Sequence, residues 1–229
     1  MEYANTVRGT FVRRLNRFAA EVELEGKTER VHVKNTGRLK ELLVPGAEVV
    51  LETASRADRK TKHSLIAVRK NDAFVNVDSQ IPSAVVEEAL RAGKVKEIGE
   101  VRTIRREAVY GNSRFDFYYE TGERKGFIEV KGVTLAQDGV ALFPDAPTAR
   151  GTKHVLELAE AVERGYEGVA LFLVQMKGCR RFAPHAEMDP AFAEALERAA
   201  RRGVRVLAYD SEVTASAIVF GEPLEVAIH

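Results

Sequence analysis

The stretch that decides the fold is Ser113-Arg114-Phe115-Asp116-Phe117-Tyr118-Tyr119-Glu120-Thr121-Gly122-Glu123-Arg124-Lys125-Gly126-Phe127-Ile128-Glu129-Val130-Lys131-Gly132-Val133. Two strand-like runs, 114–119 and 127–133, flank a polar turn over 120–126. Antiparallel pairing about the centre of that turn sets Asp116 opposite Glu129. Side chains alternate faces along a strand. Arg114, Asp116 and Tyr118 therefore share a face with Phe127, Glu129 and Lys131. Phe115, Phe117, Ile128 and Val130 share the other, apolar face. A slip of one residue would separate the pair, so the arrangement depends on register.

Two carboxylates opposed in a sheet repel one another. A divalent cation between them removes that repulsion, and Mg²⁺ is commonly held by one or two carboxylates plus water and phosphate oxygens. Lys131, two residues past Glu129, stands beside that position, where it could offset phosphate charge or help deprotonate an attacking water. The plain alternative is a solvated hairpin face on which Asp116 pairs with Lys131 or Arg114 at little gain. Spacing alone leaves both readings open. The confinement of apolar residues to one face, and the helix and buried strand that follow, favour the first.

Outward from the hairpin, the chain changes character near Ile81-Pro82-Ser83. Residues 1–80 hold short β-branched runs at 7–14, 19–24, 30–34, 48–51, 65–69 and 73–77, broken by turn signals such as Glu25-Gly26 and Pro45-Gly46. Asn35-Thr36-Gly37-Arg38 reads as a turn feeding a short helix with Leu39, Leu42 and Leu43. Strands this short and close suggest a small barrel, of which the oligonucleotide-binding (OB) barrel is one kind, or a plain β-sandwich. Residues 81–229 read as an α/β domain with a mixed sheet. Ser83 is expected to cap a helix that ends at Gly93, and 101–110 forms a strand before the Gly111-Asn112 turn. A helix spans 152–164, and 168–175 is a strand buried on both faces. Asp189-Pro190 opens another helix that ends at Gly203, and a strand follows over 204–208.

Composition narrows the classes. The 229 residues are 45% hydrophobic and 30% charged, enough for a substantial core in one large domain or two small ones. No apolar run approaches the roughly 18 residues of a membrane span, and residues 1–10 lack the apolar core of a secretory signal. A single cysteine, Cys179, excludes an intramolecular disulfide and a Cys-based zinc site, and a cytoplasmic location is the expectation. One Cys, three Met, no Trp and dense Arg/Glu give a thermophile-like composition. Net charge is +1, but residues 1–80 carry +4 and the remainder −3, so a local basic patch would have to meet phosphate.

Several further residues carry paired readings. Asp145 is a supporting carboxylate or a turn residue beside Pro144. Arg150, Lys153 and His154 lie at or near a helix N-terminus suited to phosphate, where His154 is a general base or a structural histidine. Arg102, Arg105 and Arg106 extend a phosphate track or decorate a strand edge; Lys177, Arg180 and Arg181 line a cleft or a loop. In the first domain the basic candidates are Arg8, Arg13, Arg14, Arg17, Lys34 and Arg38. Lys34-Asn35-Thr36-Gly37-Arg38 is the preferred phosphate contact, because turn amides beside a guanidinium suit an anion. Phe11 and Phe18 stack bases or fill the core. His32, His63, His185 and His229 lack zinc-ligand spacing.

Long motifs tie these features to a family. Ser113-Arg114-Phe115-Asp116-Phe117, Ile128-Glu129-Val130-Lys131-Gly132-Val133-Thr134-Leu135 and Phe143-Pro144-Asp145-Ala146-Pro147-Thr148-Ala149-Arg150-Gly151-Thr152-Lys153-His154 resemble the sugar fermentation stimulation protein A family. Asn35-Thr36-Gly37-Arg38-Leu39 with Leu42-Leu43-Val44-Pro45-Gly46 resembles its N-terminal signature. The resemblance implies an OB-type barrel over 1–80 and a restriction-endonuclease-like α/β domain of the PD-(D/E)XK type over 81–229. That superfamily's Asp, then Glu-x-Lys, matches Asp116, Glu129 and Lys131, with Asp116 and Glu129 holding Mg²⁺ or Mn²⁺. It also implies a helix glutamate, for which Glu87 and Glu88 are candidates, and a polar residue on the buried strand, for which Gln175 serves. Three functions stand: a metal-dependent nuclease acting on DNA foremost, a non-catalytic DNA-binding regulator of sugar metabolism on a nuclease scaffold, and a hydrolase or binder of a small phosphorylated molecule. No membrane partner is expected, and oligomeric state is open, a homodimer included.

Overall fold

In the computed structural model, which describes residues 1–54 and 61–228, the β-branched runs of the first third become β1 (Thr6–Asn16), β2 (Ala19–Leu24), β3 (Lys27–Val33), β4 (Glu48–Thr53), β5 (His63–Lys70) and β6 (Ala73–Asn76). His229 lies outside the described residues. The strands order as β3-β2-β1-β4-β5-β6, and a parallel pairing of β3 with β5 through His32↔Ser64 and Val33↔Leu65 closes β1 to β5 into a five-stranded barrel. The barrel, not the sandwich, is therefore formed. Register shifts in β1 at Phe11/Arg13 and Arg14/Asn16 supply the extra bend that closure needs. Phe11, Val22, Val31, Leu51 and Leu65 fill the interior, so Phe11 is a core residue, whereas Phe18 is 53% exposed.

The short helix expected over 39–43 does not form. Leu42 and Leu43 both donate their N–H to the Leu39 carbonyl, and Leu39 itself sits at φ 49°. A left-handed residue cannot start a right-handed helix, so the segment remains a pair of turns. Its three leucines are still buried, in the same apolar cluster as Phe11.

The second part contains α1 (Pro82–Arg91), β7 (Thr103–Tyr110), β8 (Ser113–Glu120), β9 (Lys125–Val133), β10 (Leu135–Gln137), β11 (Val140–Phe143) and α2 (Ala149–Glu163). It continues with β12 (Glu167–Val174), β13 (Arg181–Pro184), α3 (Pro190–Arg201), β14 (Arg205–Val213), β15 (Ile218–Pro223) and β16 (Glu225–Val226). The main sheet runs β15-β14-β12-β9-β8-β7. β12 is parallel to both β9 and β14, and the pairs β14–β15, β8–β9 and β7–β8 are antiparallel. This is the expected α/β mixed sheet. Val85, Val86, Ala89 and Leu90 of α1 cluster with Ile128, Val130, Leu171 and Leu173 on one face. The apolar sides of α2 and α3 cluster with Phe127, Ala170, Phe172 and Val174 on the other. A small sheet, β10-β11-β13-β16, was not anticipated; its strands of two to four residues are too short to show a period.

Two helix starts differ from expectation. α1 begins at Pro82 with Ile81 as N-cap and no side-chain cap bond, so Ser83 is not the cap. Proline at the first position is pre-set for a helix start and lacks an N–H that would have had no intrahelical partner, and the Ser83 hydroxyl is used elsewhere. α2 begins at Ala149 rather than 152, because the Thr148 side chain accepts the Gly151 N–H, a cap generally worth ~1 kcal/mol. Asp189 caps α3 as expected, with Oδ1 on the Phe192 N–H, while its Oδ2 accepts the Thr148 N–H at 2.7 Å. One carboxylate thereby fixes the starts of both helices.

The two parts join through buried polar groups. Asn76, at the end of β6, donates its N–H to the Gln175 carbonyl at 2.9 Å, and Gln175 Nε2 donates to Asn76 Oδ1 and the Asp78 carbonyl. Lys34 donates to Asp78 Oδ2 at 2.9 Å and to Glu52 Oε2 at 3.0 Å. No described helix is long and apolar enough to cross a membrane.

Candidate functional site

β8 and β9 pair Phe117↔Ile128, Tyr118↔Phe127, Tyr119↔Gly126 and Glu120↔Lys125. One more step of this register sets Asp116 against Glu129, the alignment expected from the turn centre. The ladder stops there, and the Asp116 side chain supplies what the backbone no longer does. Its Oδ2 accepts the Val130 N–H at 2.8 Å and its Oδ1 accepts the Ser83 hydroxyl at 2.9 Å. On the other side, β7–β8 pairing runs from Arg106↔Phe117 to Ala108↔Phe115 and skips Glu107, which lies at φ 51°. The interruption rolls the strand. Phe117 clusters with Ile128 and Val130, but Phe115 packs on the α2 side, 5.4 Å from the Phe127 ring and 6.0 Å from His154. Strict alternation had put Phe115 with Phe117; the break at Asp116 overrides it.

Glu129 is only 4% exposed. Its Oε1 accepts the Lys131 ammonium at 2.5 Å and meets His154 Nδ1 at 2.5 Å. Its Oε2 is buried and has no hydrogen-bond partner among the described residues. Burial pushes the Glu129 carboxyl up, but the His154 hydrogen bond and the Lys131 charge outweigh it and hold the group below the usual range. Asp116 moves the opposite way. Burial, then the Glu129 charge, raise it beyond what the Val130 and Ser83 hydrogen bonds and the Lys131 charge offset. The pair is thus pulled apart, which is what two buried like charges near one another do.

A cation can be tested against these residues. Among the described residues no group of three or more His, Cys, Asp or Glu side chains is gathered for a metal. The oxygens at hand are those of Asp116 and Glu129, including an orphaned buried carboxylate oxygen. That set fits a hard cation completed by water and phosphate oxygens, not a soft metal needing nitrogen or sulfur.

The other candidates fall into place unevenly. Arg150 Nε donates to His154 Nε2 at 3.4 Å, so both belong to the Glu129 cluster. Glu88 instead pairs with the Met1 amino group at 2.7 Å, and Glu87 with Arg91 and Arg106. The α1 residue that does reach Asp116 is Ser83, which sequence reasoning spent as a helix cap; Pro82 in front of it was the available signal. Gln175 is buried in the inter-domain junction. Asp145 is exposed and lies against the barrel loop, where a Cβ on Gly37 would come 2.5 Å from its Oδ2. Lys153 donates to the Asn112 carbonyl, Lys177 pairs with Asp210 and Glu212, and Arg105 lies over the Tyr118 ring.

In the barrel, Arg13 pairs with Glu21, and Lys34 is held between Asp78 and Glu52. The Arg14 guanidinium is spent on main-chain carbonyls, those of Asn35 and Gly37 at 2.6 Å and of Arg17 at 2.8 Å among them. Asn35 Oδ1 accepts the Gly37 N–H. These contacts shape the loop. Arg38, together with Arg17 and Lys40, lines a cleft of about 380 Å³ beside it.

Comparison with known proteins places both halves. Residues 12–77 match the SfsA N-terminal OB domain, and residues 80–217 match the sugar fermentation stimulation protein RE domain. The chain is 50% identical over 231 residues to a sugar fermentation stimulation protein homolog of Alkaliphilus oremlandii, covering 99% of this chain and 98% of that one. It is 46% identical over 229 residues to the Clostridium novyi homolog, covering 100% of both. A solved structure, that of Pyrococcus furiosus SfsA in complex with Ca²⁺, superposes with a TM-score of 0.91 at 29% identity, over 100% of this chain and 98% of the other. An OB barrel followed by a restriction-endonuclease-like domain, with relatives matched along their whole length, makes this chain a member of the sugar fermentation stimulation protein family.

Proposed function

We propose that this chain binds nucleic acid, DNA foremost, in the cytoplasm and hydrolyses its phosphodiester bonds at Asp116, Glu129 and Lys131 with Mg²⁺ or Mn²⁺. The observation that carries this reading is the buried Oε2 of Glu129, unpartnered among the described residues, beside an Asp116 carboxyl driven upward by burial and then by the same glutamate. A buried carboxylate oxygen left unpaired is costly, and a cation removes the cost of both carboxylates together. That the Pyrococcus relative is described in complex with Ca²⁺ supports a hard divalent cation on this fold. Such a cation supplies Lewis acidity toward a phosphoryl oxygen and a nucleophile at neutral pH.

The chain's own residues do the rest. Ser83 and the Val130 amide aim Asp116, and together with Glu129 it would hold the cation. Lys131 keeps its ammonium at the carboxylate pair, where it offsets charge gathering on a bound phosphate. Arg150, in the first turn of α2, adds a guanidinium at a helix N-terminus, a site that favours anions. Arg17, Arg38 and Lys40 would grip the backbone at the barrel cleft.

The test is incubation of purified protein with single- and double-stranded oligonucleotides and Mg²⁺ or Mn²⁺. Cleavage should vanish in Asp116→Ala and Lys131→Ala; cleavage that survives both belongs to a contaminant. One observation favours a second reading, a DNA-binding regulator that does not cut: Lys131 and His154 already occupy Glu129 Oε1. It predicts salt-sensitive binding with no cleavage under either cation.

A further inference from the structure

We propose that His154 is the positioning residue of the candidate metal centre, clamping one oxygen of Glu129 so that the other is presented to the cation. The inference rests on the reading of Asp116 and Glu129 as cation ligands and names how one of them is aimed.

The two nitrogens of the His154 ring face different partners. Arg150 Nε–H donates to His154 Nε2 at 3.4 Å. A guanidinium is donor only, so Nε2 offers its lone pair and the proton of the neutral ring sits on Nδ1. Nδ1 faces Glu129 Oε1 at 2.5 Å. The imidazole therefore donates to the glutamate in a tautomer that Arg150, one helical turn earlier, selects. The ring itself is buried, 4% exposed and set edge-on to Phe115 at 6.0 Å. Lys131 reaches the same Oε1 from the glutamate's own strand. Among the described residues two donors converge on one oxygen and none on the other, which stays buried and unpaired. With Oε1 pinned from α2 and from β9, the carboxylate cannot turn Oε2 out of line. Residues that orient a metal ligand in this way typically control affinity by about 10–100-fold when removed.

The experiment is calorimetric titration of Mn²⁺ into the full chain, with Asp116→Ala as the reference for loss of the site. His154→Leu removes the donor, and His154→Asn returns an N–H near the position of Nδ1. The expected result is Mn²⁺ binding in the wild type, affinity about tenfold or more weaker in His154→Leu, and substantial recovery in His154→Asn. Thermal unfolding of each variant shows that it is folded. A purely structural histidine would lower the unfolding temperature in His154→Leu while leaving Mn²⁺ affinity untouched, and that result overturns the proposal while sparing the metal site. Wild-type protein that binds no Mn²⁺, or binds it unchanged in Asp116→Ala, overturns the metal site and this inference together. Long-range ¹H–¹⁵N spectra give an independent check: a neutral His154 with its proton on Nε2 also overturns it.

Discussion

The carboxylate of Asp116 accepts the main-chain N–H of Val130 at 2.8 Å, from between the two residues, Glu129 and Lys131, with which it shares the site. A side chain has replaced a strand at the point where the β8–β9 ladder stops. That substitution puts a carboxylate into a buried place where its charge is disfavoured.

The first prediction concerns that charge. Asp116 is raised by burial and by Glu129. A carboxyl raised in the fold contributes stability that is fully present below its unfolded pKa and is lost as pH rises through its folded value. Once ionised, the group therefore costs stability. Asp116→Asn should raise the Tm of the metal-free protein at pH 7, by about 2–4 °C for each kcal/mol gained. The amide oxygen keeps the Val130 N–H, and the Ser83 hydroxyl can turn to accept from the new amide. The same variant should lose the Tm increase that Mn²⁺ gives the wild type. Calorimetric scans with and without Mn²⁺ measure both; a lower metal-free Tm would contradict the burial argument.

The second concerns the junction. Lys34 is 15% exposed and paired with Asp78, itself 2% exposed, and with Glu52. Removing one partner of a buried pair leaves an uncompensated charge, generally at a cost of about 3–5 kcal/mol. Asp78→Ala should fall near the lower end, because Glu52 still faces the ammonium. Urea unfolding reads it as a lower midpoint. An unchanged midpoint would mean that Lys34 swings into water at no cost.

The third separates loop-shaping arginines from those free to meet a phosphate. Arg38→Ala should weaken oligonucleotide binding evenly across sequences and reduce the slope of log affinity against log salt by about 1. Arg14→Ala should also lower thermal stability, because the Asn35, Gly37 and Arg17 carbonyls lose their shared donor. Fluorescence anisotropy over a salt series, beside thermal scans, distinguishes them. Equal stability losses in the two variants would erase the distinction.

How much of this was legible follows from physical range. The hairpin register was legible because a tight polar turn between two alternating runs fixes it locally. The barrel strands were legible from β-branched runs, but the β3–β5 closure was not, since it joins residues far apart in sequence. The role of Ser83 is not legible because capping is a short-range rule, whereas its partner Asp116 lies 33 positions away. Arg14 and Lys34 looked like phosphate contacts because a sequence shows charge, not the carbonyls or carboxylates folded against it. Phe115 leaves the face that alternation gives it because alternation assumes an unbroken ladder, and the β7–β8 pairing skips Glu107 on the neighbouring strand. The clustering of His154 with Glu129 emerged only once α2 was packed on β9.

The fourth prediction uses the glycine that follows Lys131. Gly132 pairs with Leu173 in the sheet, and a Cβ there would press on Gln175 Oε1 and lie 2.8 Å from Pro82 Cγ. Gln175 cannot swing aside freely, because its Nε2 donates to Asn76 Oδ1 and to the Asp78 carbonyl across the junction. Pro82 is rigid at the start of α1. Gly132→Ala should therefore destabilise by about 1–3 kcal/mol, the usual cost of overpacking a filled site. If the clash with Gln175 is the cause, adding Gln175→Ala removes the obstacle, and the double variant should cost less than the two single costs together, by at least ~0.5 kcal/mol. Denaturant unfolding of the three variants gives the coupling directly. Strict additivity would assign the cost to Pro82 instead, and so to the packing of α1 against the strand that carries Glu129 and Lys131.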